Sequence, residues 1–342
     1  MIRLRSVLLI LLLSLASGCV SSGHTNDIDL IIDGSVVDNG YNNYVAGGEL
    51  ARAGNDLYLV SYDSHGFIIS SNQSRTIKTT LANFLFYRET ELEELYENEG
   101  IIYKGSWRFS NEKGYFEIND LSRYGRLERI VGDNVYISKD KGYGDVPFGE
   151  KLRDLYLNGK LIIEDYEKCY ITEEAVFFIA DIDKKKGVYK CNLESEDYTL
   201  VWPEHRIKQF MIYEDKLIYI LDETYVDYLK VSVYDMLEDE FSFIESEKLA
   251  PISFNVYSNN LYFSDGRAIY KYSLSTCELI FKFEDEDILK HLTTMVNCYI
   301  VDDKWLYFTT VSWNHELDRE VVNLYRIMQD GGFTEVVLEN VE

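Results

Sequence analysis

Apolar and polar residues alternate in short runs along most of the chain, and each run follows one or two turn-forming or acidic residues. The runs read apolar, aromatic, apolar. This pattern predicts half-buried β-strands, because successive side chains of a strand point to opposite faces. The clear copies lie at 55–59, 133–137, 173–178, 214–219, 259–263 and 303–308, and a degenerate copy lies at 99–103. The copies indicate seven structural units.

The copies are evenly spaced along the sequence. The aromatic residues at 136, 178, 219, 262 and 307 are 42, 41, 43 and 45 residues apart, and the mean spacing from Tyr58 to Tyr307 is about 41.5 residues. Further aromatic runs, such as those around Tyr189 and Tyr270, give each unit four short strands. This period and content are typical of a β-propeller blade. We therefore expect an all-β protein with a single seven-bladed β-propeller of four-stranded blades. A pair of β-sandwiches is the alternative, which the even spacing disfavours.

Local signals refine this plan. Asn158-Gly159 lies between two apolar runs and predicts a hairpin at the outer turn of the third blade. The segment 90–96 has capping-box spacing and predicts a short helix inserted in the second blade. The first strand lies at 28–37 or only at 44–53, and a place for 28–37 in the last blade stays open. Closure of the ring requires Tyr58 and Tyr307 to lie in adjacent blades.

The N-terminus carries a separate signal. Arg3 and Arg5 precede an apolar stretch at 7–16, and the small residues Ser17 and Gly18 stand directly before Cys19. The pattern resembles a bacterial lipoprotein signal peptide. A membrane-spanning helix is disfavoured, because ten apolar residues span only about 15 Å as a helix, half of a bilayer core. An ordinary secretory signal with a chance cysteine is the alternative.

The lipoprotein resemblance implies cleavage before Cys19 and acylation of Cys19 with chains such as palmitate. These chains would anchor the protein in the cell envelope, outside the cytoplasm, to a bacterial membrane. The membrane would be contacted through the lipid alone. We therefore divide the chain into a signal peptide at 1–18, the lipidated cysteine and a polar tether at 19–43, with room for one strand, and the β-propeller at 44–342.

Two predicted blades resemble a known family. The segments 261–266 and 269–270 resemble the YWTD-type propellers of low-density-lipoprotein-receptor proteins. The segment 323–332 is similar to the functionally uncharacterised bacterial relatives of that domain, which are often found on lipoproteins. The resemblance covers the repeated body but is specific only in these two blades. It implies a propeller fold and places Asp265 at the final acidic position of the family motif.

Charge and motifs narrow the function. The chain has 59 acidic and 34 basic residues and a formal net charge of -25, so nucleic acid would be repelled and is excluded as the main partner. The sequence contains no glycine-rich phosphate loop, serine nucleophile elbow, paired-histidine zinc motif or EF-hand loop, so we expect neither a cofactor nor a metal. The cysteines at 169, 191, 277 and 298 are expected to be free, buried thiols, because a whole strand separates 169 from 191.

Loop placement indicates a candidate binding face. In a propeller, the connections between second and third strands and the connections between blades share one face, which we call the partner face. The remaining turns form the opposite face, here called the acidic-turn face. Histidine and tryptophan residues collect on the partner face at His65, Trp107, Trp202, His205, His291, Trp313 and His315. The simpler explanation is that longer loops collect more residues of every kind.

We therefore expect a monomeric, lipid-anchored binding or scaffold module that holds a protein or glycan partner, since aromatic and histidine side chains suit recognition. The alternative is an extracytoplasmic propeller enzyme that acts on glycans through a pair of carboxylates. Among 59 acidic residues some pair will lie close together by chance. The sequence therefore assigns a catalytic role to no residue.

Overall fold

The fold is all-β apart from one short helix. It was obtained as a computed structural model, which describes residues 39–46, 50–53, 56–60, 66–72, 75–80, 95–98, 101–104, 107–110, 114–117, 126–143, 151–195, 197–204, 206–222, 230–245, 251–286, 288, 293–314 and 319–341. Within this part of the chain the strands form seven antiparallel sheets of four strands each. Each sheet uses four consecutive strands, so the repeated unit of the sequence corresponds to one sheet.

The first four sheets lie between Leu50 and Trp202. Sheet one comprises β1 Leu50–Ala53, β2 Asp56–Val60, β3 Gly66–Asn72 and β4 Arg75–Thr80. Sheet two comprises β5 Leu95–Asn98, β6 Ile101–Lys104, β7 Trp107–Ser110 and β8 Gly114–Glu117. Sheet three comprises β9 Arg126–Val131, β10 Asn134–Tyr143, β11 Lys151–Leu157 and β12 Lys160–Tyr166. Sheet four comprises β13 Cys169–Ile171, β14 Ala175–Ile182, β15 Lys185–Asn192 and β16 Tyr198–Trp202.

The last three sheets repeat the same plan. Sheet five comprises β17 Ile207–Tyr213, β18 Lys216–Leu221, β19 Lys230–Asp235 and β20 Glu240–Glu245. Sheet six comprises β21 Ser253–Tyr257, β22 Asn260–Ser264, β23 Ile269–Ser273 and β24 Leu279–Phe283. Sheet seven comprises β25 Thr294–Tyr299, β26 Trp305–Asn314, β27 Arg319–Met328 and β28 Thr334–Val341.

Turn residues explain where the strands end. Asn158 and Gly159 join β11 to β12 with φ of 49° and 82°, and this hairpin was expected from the sequence. Two positive φ values in a two-residue hairpin match the right-handed twist of the flanking strands and favour Asn-Gly. Glu214 and Asn259 also have positive φ, in the tight turns after β17 and β21. In these two turns the acidic or amide residue before the second strand is therefore used for backbone geometry.

The first sheet packs against the last. Arg52 on β1 donates a buried hydrogen bond and salt bridge of 3.0 Å to Asp302, which follows β25. Leu50 and Leu57 of sheet one share a buried cluster with Tyr307 of sheet seven. The sheets that carry Tyr58 and Tyr307 are therefore neighbours, as ring closure requires. The first sheet consists only of β1–β4 and the last only of β25–β28, so neither sheet contributes a strand to the other. The two ends of the chain are therefore held together by side-chain contacts.

The helix α1, Gly40–Val45, precedes the first described strand. The sequence left 44–53 as one place for the first strand, but Tyr44 lies in α1 and β1 begins only at Leu50. The other candidate, 28–37, lies outside the described residues. Asn, Tyr and Val are weak helix formers and six residues are too few for an isolated helix, so α1 depends on tertiary contacts.

The helix predicted over 90–96 is wrong at its C-terminal end. Leu95 and Tyr96 lie in β5, where Tyr96 is the register partner of Tyr103 on β6. Residues 90–94 lie outside the described part of the chain. Pairing with the neighbouring strand outweighs the local capping signal, because tertiary context commonly overrides helix propensity.

Candidate functional site

The axis around which the innermost strands lie is filled by residues 39–46, which we call the plug. Asn43 binds the chain just after β25: its Nδ2 donates to the carbonyl of Ile300 at 2.7 Å, and its Oδ1 accepts from the Ile300 N–H at 2.9 Å. The same Oδ1 accepts from Nδ2 of Asn255 on β21 at 2.8 Å. Both asparagines are buried, so these bonds satisfy polar groups that would be costly to bury alone.

Two tyrosines extend from the plug toward sheets three and four. The hydroxyl of Tyr41 accepts from the Ile171 N–H at 2.9 Å, and the Arg129 guanidinium lies 4.2 Å from the Tyr41 ring centre. The hydroxyl of Tyr44 accepts from Nε and Nη2 of Arg126 at 2.9 and 2.6 Å. Both rings are less than a tenth exposed. The plug is therefore packed as core.

The C-terminal end of the plug contacts sheets five and six. Nε2 of Gln209 on β17 donates to the carbonyl of Val45 at 3.2 Å, and Oγ of Ser253 on β21 donates to the carbonyl of Ala46 at 3.0 Å. Helix C-termini leave carbonyls without an intrahelical partner, and these two side chains supply donors. α1 also packs against β1 and β5, so the plug contacts the innermost part of all seven sheets.

Burial fixes the chemistry of the phenols around the plug. Burial raises the pKa of Tyr41 well above its ordinary value and raises the pKa of Tyr170 to about 12. Tyr170 donates its hydroxyl hydrogen to Oδ1 of Asn42 at 2.5 Å. At neutral pH both phenols are neutral, and they serve as hydrogen-bonding groups between the plug and sheet four.

The predicted partner-face residues are only partly described. His65, His205, His291 and His315 lie outside the described residues. Trp107 was expected in a loop but is the first residue of β7, at the strand end that follows the second-to-third connection. The geometry of the partner face therefore rests on Trp202 and Trp313.

Trp202 ends β16 and packs between sheets. Its Nε1 donates to the hydroxyl of Tyr219 at 3.0 Å. Its ring centre lies 4.5 Å from Tyr234 and 5.7 Å from Phe241, with the Phe241 ring nearly parallel. All three neighbours belong to sheet five. These contacts give Trp202 a packing role between sheets four and five, which the sequence did not indicate.

Trp313 lies near the tip of a projecting hairpin. The innermost strand of sheet seven begins at Thr294, which pairs with Val311, but β26 and β27 continue to the pair Asn314 and Arg319. Three further residues extend a strand by about 10 Å. Trp313 is 41% exposed there. Among the predicted site residues whose side chains the structure describes, Trp313 is therefore the one that is exposed on the partner face.

Most exposed large apolar side chains lie elsewhere, on the outermost strands of sheets three to six. They are Leu161, Tyr198, Leu200, Phe241, Phe243, Leu279 and Ile280. Leu237 and Phe333 are exposed in turns of the acidic-turn face, and Trp313 alone of this described set is on the partner face. The sequence signal was the presence of apolar residues at consecutive positions in β16, β20 and β24, which strand alternation does not require.

The acid of the family motif has a structural use. One oxygen of Asp265 accepts from the N–H groups of Arg267 and Ala268 at 3.0 and 2.9 Å, and the other accepts from the Tyr270 hydroxyl at 2.9 Å. Asp302 repeats this arrangement with two backbone N–H groups and with Tyr307, five residues later. The Asp-to-Tyr spacing of five residues was a signal that the sequence analysis missed.

The four cysteines are free, as expected, although only Cys191 and Cys298 are buried as whole residues while Cys169 and Cys277 are partly exposed. Burial raises the pKa of the Cys169 and Cys298 thiols. Protonated thiols are poor metal ligands. Among the described residues no group of three or more His, Cys, Asp or Glu side chains could hold a metal ion. No helix in that part of the chain is long and apolar enough to cross a membrane.

Neither a protein-family model nor a curated protein matches the sequence. Among solved structures, a prolyl endopeptidase is similar with a TM-score of 0.56 and 9% identity, over 88% of this chain and 51% of that one. PorZ, a surface component of the type-IX secretion system of Porphyromonas gingivalis, is similar with a TM-score of 0.48 and 12% identity, over 85% of this chain and 45% of PorZ. A chain of a nidogen/laminin complex is similar with a TM-score of 0.41 and 8% identity, over 70% of this chain and 93% of that one.

The likeness to solved structures concerns the fold. The chain spans about half the length of the first two structures, and identities near a tenth carry no statement about activity. The likeness to the prolyl endopeptidase supports a β-propeller-like, all-β fold, in agreement with the four-stranded antiparallel sheets. The coarse prediction from the sequence is therefore confirmed.

Proposed function

We propose that the chain is a seven-bladed β-propeller, anchored by lipid at Cys19 to the extracytoplasmic side of a bacterial membrane, that holds a protein or glycan partner on its partner face. The observation that carries the proposal is the filled axis. Because the plug occupies the centre, a partner is not held in the axis, and the loops and hairpins of a face offer a binding surface instead. The blade count is supported by the seven sheets and by the Arg52–Asp302 contact between the first and the last.

The projecting hairpins of the partner face favour it as the binding surface. On this face the β26–β27 hairpin projects beyond the innermost strand of its sheet, and so does the β10–β11 hairpin, whose pairing continues from Ser138 to Tyr143. Turns of the opposite face join their strands through two to five residues. Projecting hairpins with an exposed Trp offer a large contact area at low entropic cost, which suits a protein loop or a glycan ring.

The enzyme alternative finds less support. The buried carboxylates in the described part of the chain are Glu128, Asp154, Asp265 and Asp302. Each is already held by internal donors: for example, Ser138 Oγ donates to Glu128 at 2.5 Å, and Lys141 lies 3.2 Å from Asp154. A catalytic carboxylate pair has to face a substrate, so these four acids favour a structural role and the binding function is retained.

The anchor is tested by Cys19→Ala. We expect this variant to move from the membrane fraction to the soluble fraction, because it lacks the thiol that would carry the lipid and no helix in the described part of the chain is long and apolar enough to cross a membrane. Fractionation followed by immunoblotting measures the change, with Cys277→Ala as a control that should stay membrane-bound. Membrane retention of the processed Cys19→Ala protein at the wild-type level would refute the lipid anchor.

The partner face is tested by Trp313→Ala. If Trp313 is a contact residue at the centre of the interface, its truncation should weaken partner binding by tenfold or more, since such residues contribute about 2 kcal/mol. Phe333→Ala is the matched control, because Phe333 is an exposed aromatic residue, 55% accessible, on the opposite face. Quantitative capture from envelope extracts and glycan arrays measures both. Loss with Phe333→Ala alone would mean that the acidic-turn face is the binding surface.

A further inference from the structure

The plug has a direction, and its contacts along two innermost strands show it. Residue 39 is near the middle of β21, where Asn39 Nδ2 donates to Asn255 Oδ1 at 3.3 Å, whereas Ala46 is at the start of β21, bound by Ser253. On sheet seven, Asn43 contacts Ile300, beyond the end of β25. Residues 39–43 of the plug therefore lie toward the middle and the ends of these strands, and Ala46 lies toward their start.

Sheets three to five give the same direction. Tyr41 binds Ile171, the last residue of β13. Tyr44 binds Arg126, the first residue of β9, and Val45 binds Gln209, the third residue of β17. Innermost strands start at the partner face and end at the acidic-turn face. The plug runs in the opposite sense, so the chain enters the axis from the acidic-turn face and leaves toward the partner face to begin β1.

We infer that the acidic-turn face is directed toward the membrane and that the partner face, with Trp313, points away from it. The inference rests on the proposed lipid anchor at Cys19. The twenty residues 19–38 connect that anchor to the entry point of the plug on the acidic-turn side of the axis. A short connection at this point holds the acidic-turn face nearest to the lipid.

The length of the connection makes the opposite orientation costly. Twenty residues reach at most about 70 Å when fully extended. To place the partner face on the membrane, the connection would have to cross a four-stranded sheet of about 15 Å and then rise along strands of about 20 Å. This path of about 35 Å takes up half of that reach, so it restricts the conformations open to the connection and costs entropy.

Charge does not set this orientation. The turns of the acidic-turn face carry exposed acids, among them Asp133, Glu174, Asp215, Glu238 and Asp303. These side chains would be repelled by anionic lipid headgroups within about one Debye length, roughly 10 Å at moderate salt. The experiment therefore uses zwitterionic phosphatidylcholine vesicles, on which only the connection orients the body.

The two ends of β15 provide matched label positions. Lys185 begins β15 at the partner face, and Glu194 follows its other end at the acidic-turn face; both are exposed. About 25 Å of strand separates these ends. A donor dye placed at Lys185 or at Glu194 through an unnatural amino acid leaves the native thiols and Cys19 unchanged. Energy transfer to acceptor-labelled lipid in phosphatidylcholine vesicles then measures which face lies nearer to the membrane.

We expect higher transfer from position 194 than from position 185. Equal transfer from the two positions, or higher transfer from 185, would overturn the orientation. Full-length acylated protein that fails to bind the vesicles at all would instead refute the lipid anchor, so the two failures are distinguishable. A Cys19→Ala control carrying either dye should show no transfer.

Discussion

Replacing Arg52 with Met is expected to lower the free energy of unfolding by about 3 to 5 kcal/mol, because it leaves the Asp302 carboxylate buried without its cationic partner. Both side chains are almost completely buried, and the bond of 3.0 Å joins the first sheet to the last. Since the two sheets exchange no strand, this contact and its apolar neighbours hold the ends of the chain together. Urea unfolding followed by circular dichroism measures the loss.

A matched surface pair gives the control. Arg206 lies 2.6 Å from Glu204 but is 39% exposed, so Arg206→Met should change stability by no more than about 1 kcal/mol. Adding Asp302→Asn to Arg52→Met removes the unpaired charge and should recover part of the loss. Arg52→Met with a stability equal to that of Arg206→Met would show that the Arg52–Asp302 pair does not close the ring.

Local features of the fold could be predicted from the sequence because they depend on neighbouring residues. The period of about 42 residues marks one sheet, and Asn158-Gly159 adopts the two positive φ values that its hairpin needs. Strand order within one sheet excluded a disulfide between Cys169 and Cys191: Cys169 lies on β13 and Cys191 on β15, with β14 between them. In each case the deciding contact is within one sheet.

Contacts between distant parts of the chain could not be predicted. Arg52 and Asp302 are 250 residues apart, and nothing in either local sequence indicates the other. Trp202 was assigned to the binding face because it lies beside a connection between blades, and its packing partners Tyr234 and Phe241 belong to the next sheet, which the local sequence does not indicate. The candidate face therefore keeps Trp313, whose hairpin could be located from the strand pattern, while the packing role of Trp202 required the structure.

The plug is the clearest example of a feature without a local signal. Its helix, Gly-Tyr-Asn-Asn-Tyr-Val, is only six residues long, too short for an apolar period to identify it, and has no side-chain cap at its start. Asn39, Asn42 and Asn43 bind residues more than 200 positions away. The helix therefore exists because the sheets surround it, and the sheets in turn need it to fill their centre.

Tyr41→Ala is accordingly expected to lower the free energy of unfolding by about 3 to 5 kcal/mol, the range for truncating a buried aromatic side chain. The Tyr41 ring is 7% exposed and packs 5.0 Å from Tyr170, with Arg129 on its face. The sheets cannot collapse into the vacated space, because each is fixed by its two neighbours. Thermal and urea unfolding measure the loss.

Tyr41→Phe separates packing from hydrogen bonding. It keeps the ring but leaves the Ile171 N–H without the acceptor that Tyr41 provides at 2.9 Å, so a smaller loss of about 1 to 2 kcal/mol is expected. Phe333→Ala, at an aromatic residue that is 55% exposed, should stay within about 1 kcal/mol of the parent protein. If Tyr41→Ala destabilises no more than Phe333→Ala, the plug is not part of the cooperative core, and the sheets close around their axis without it.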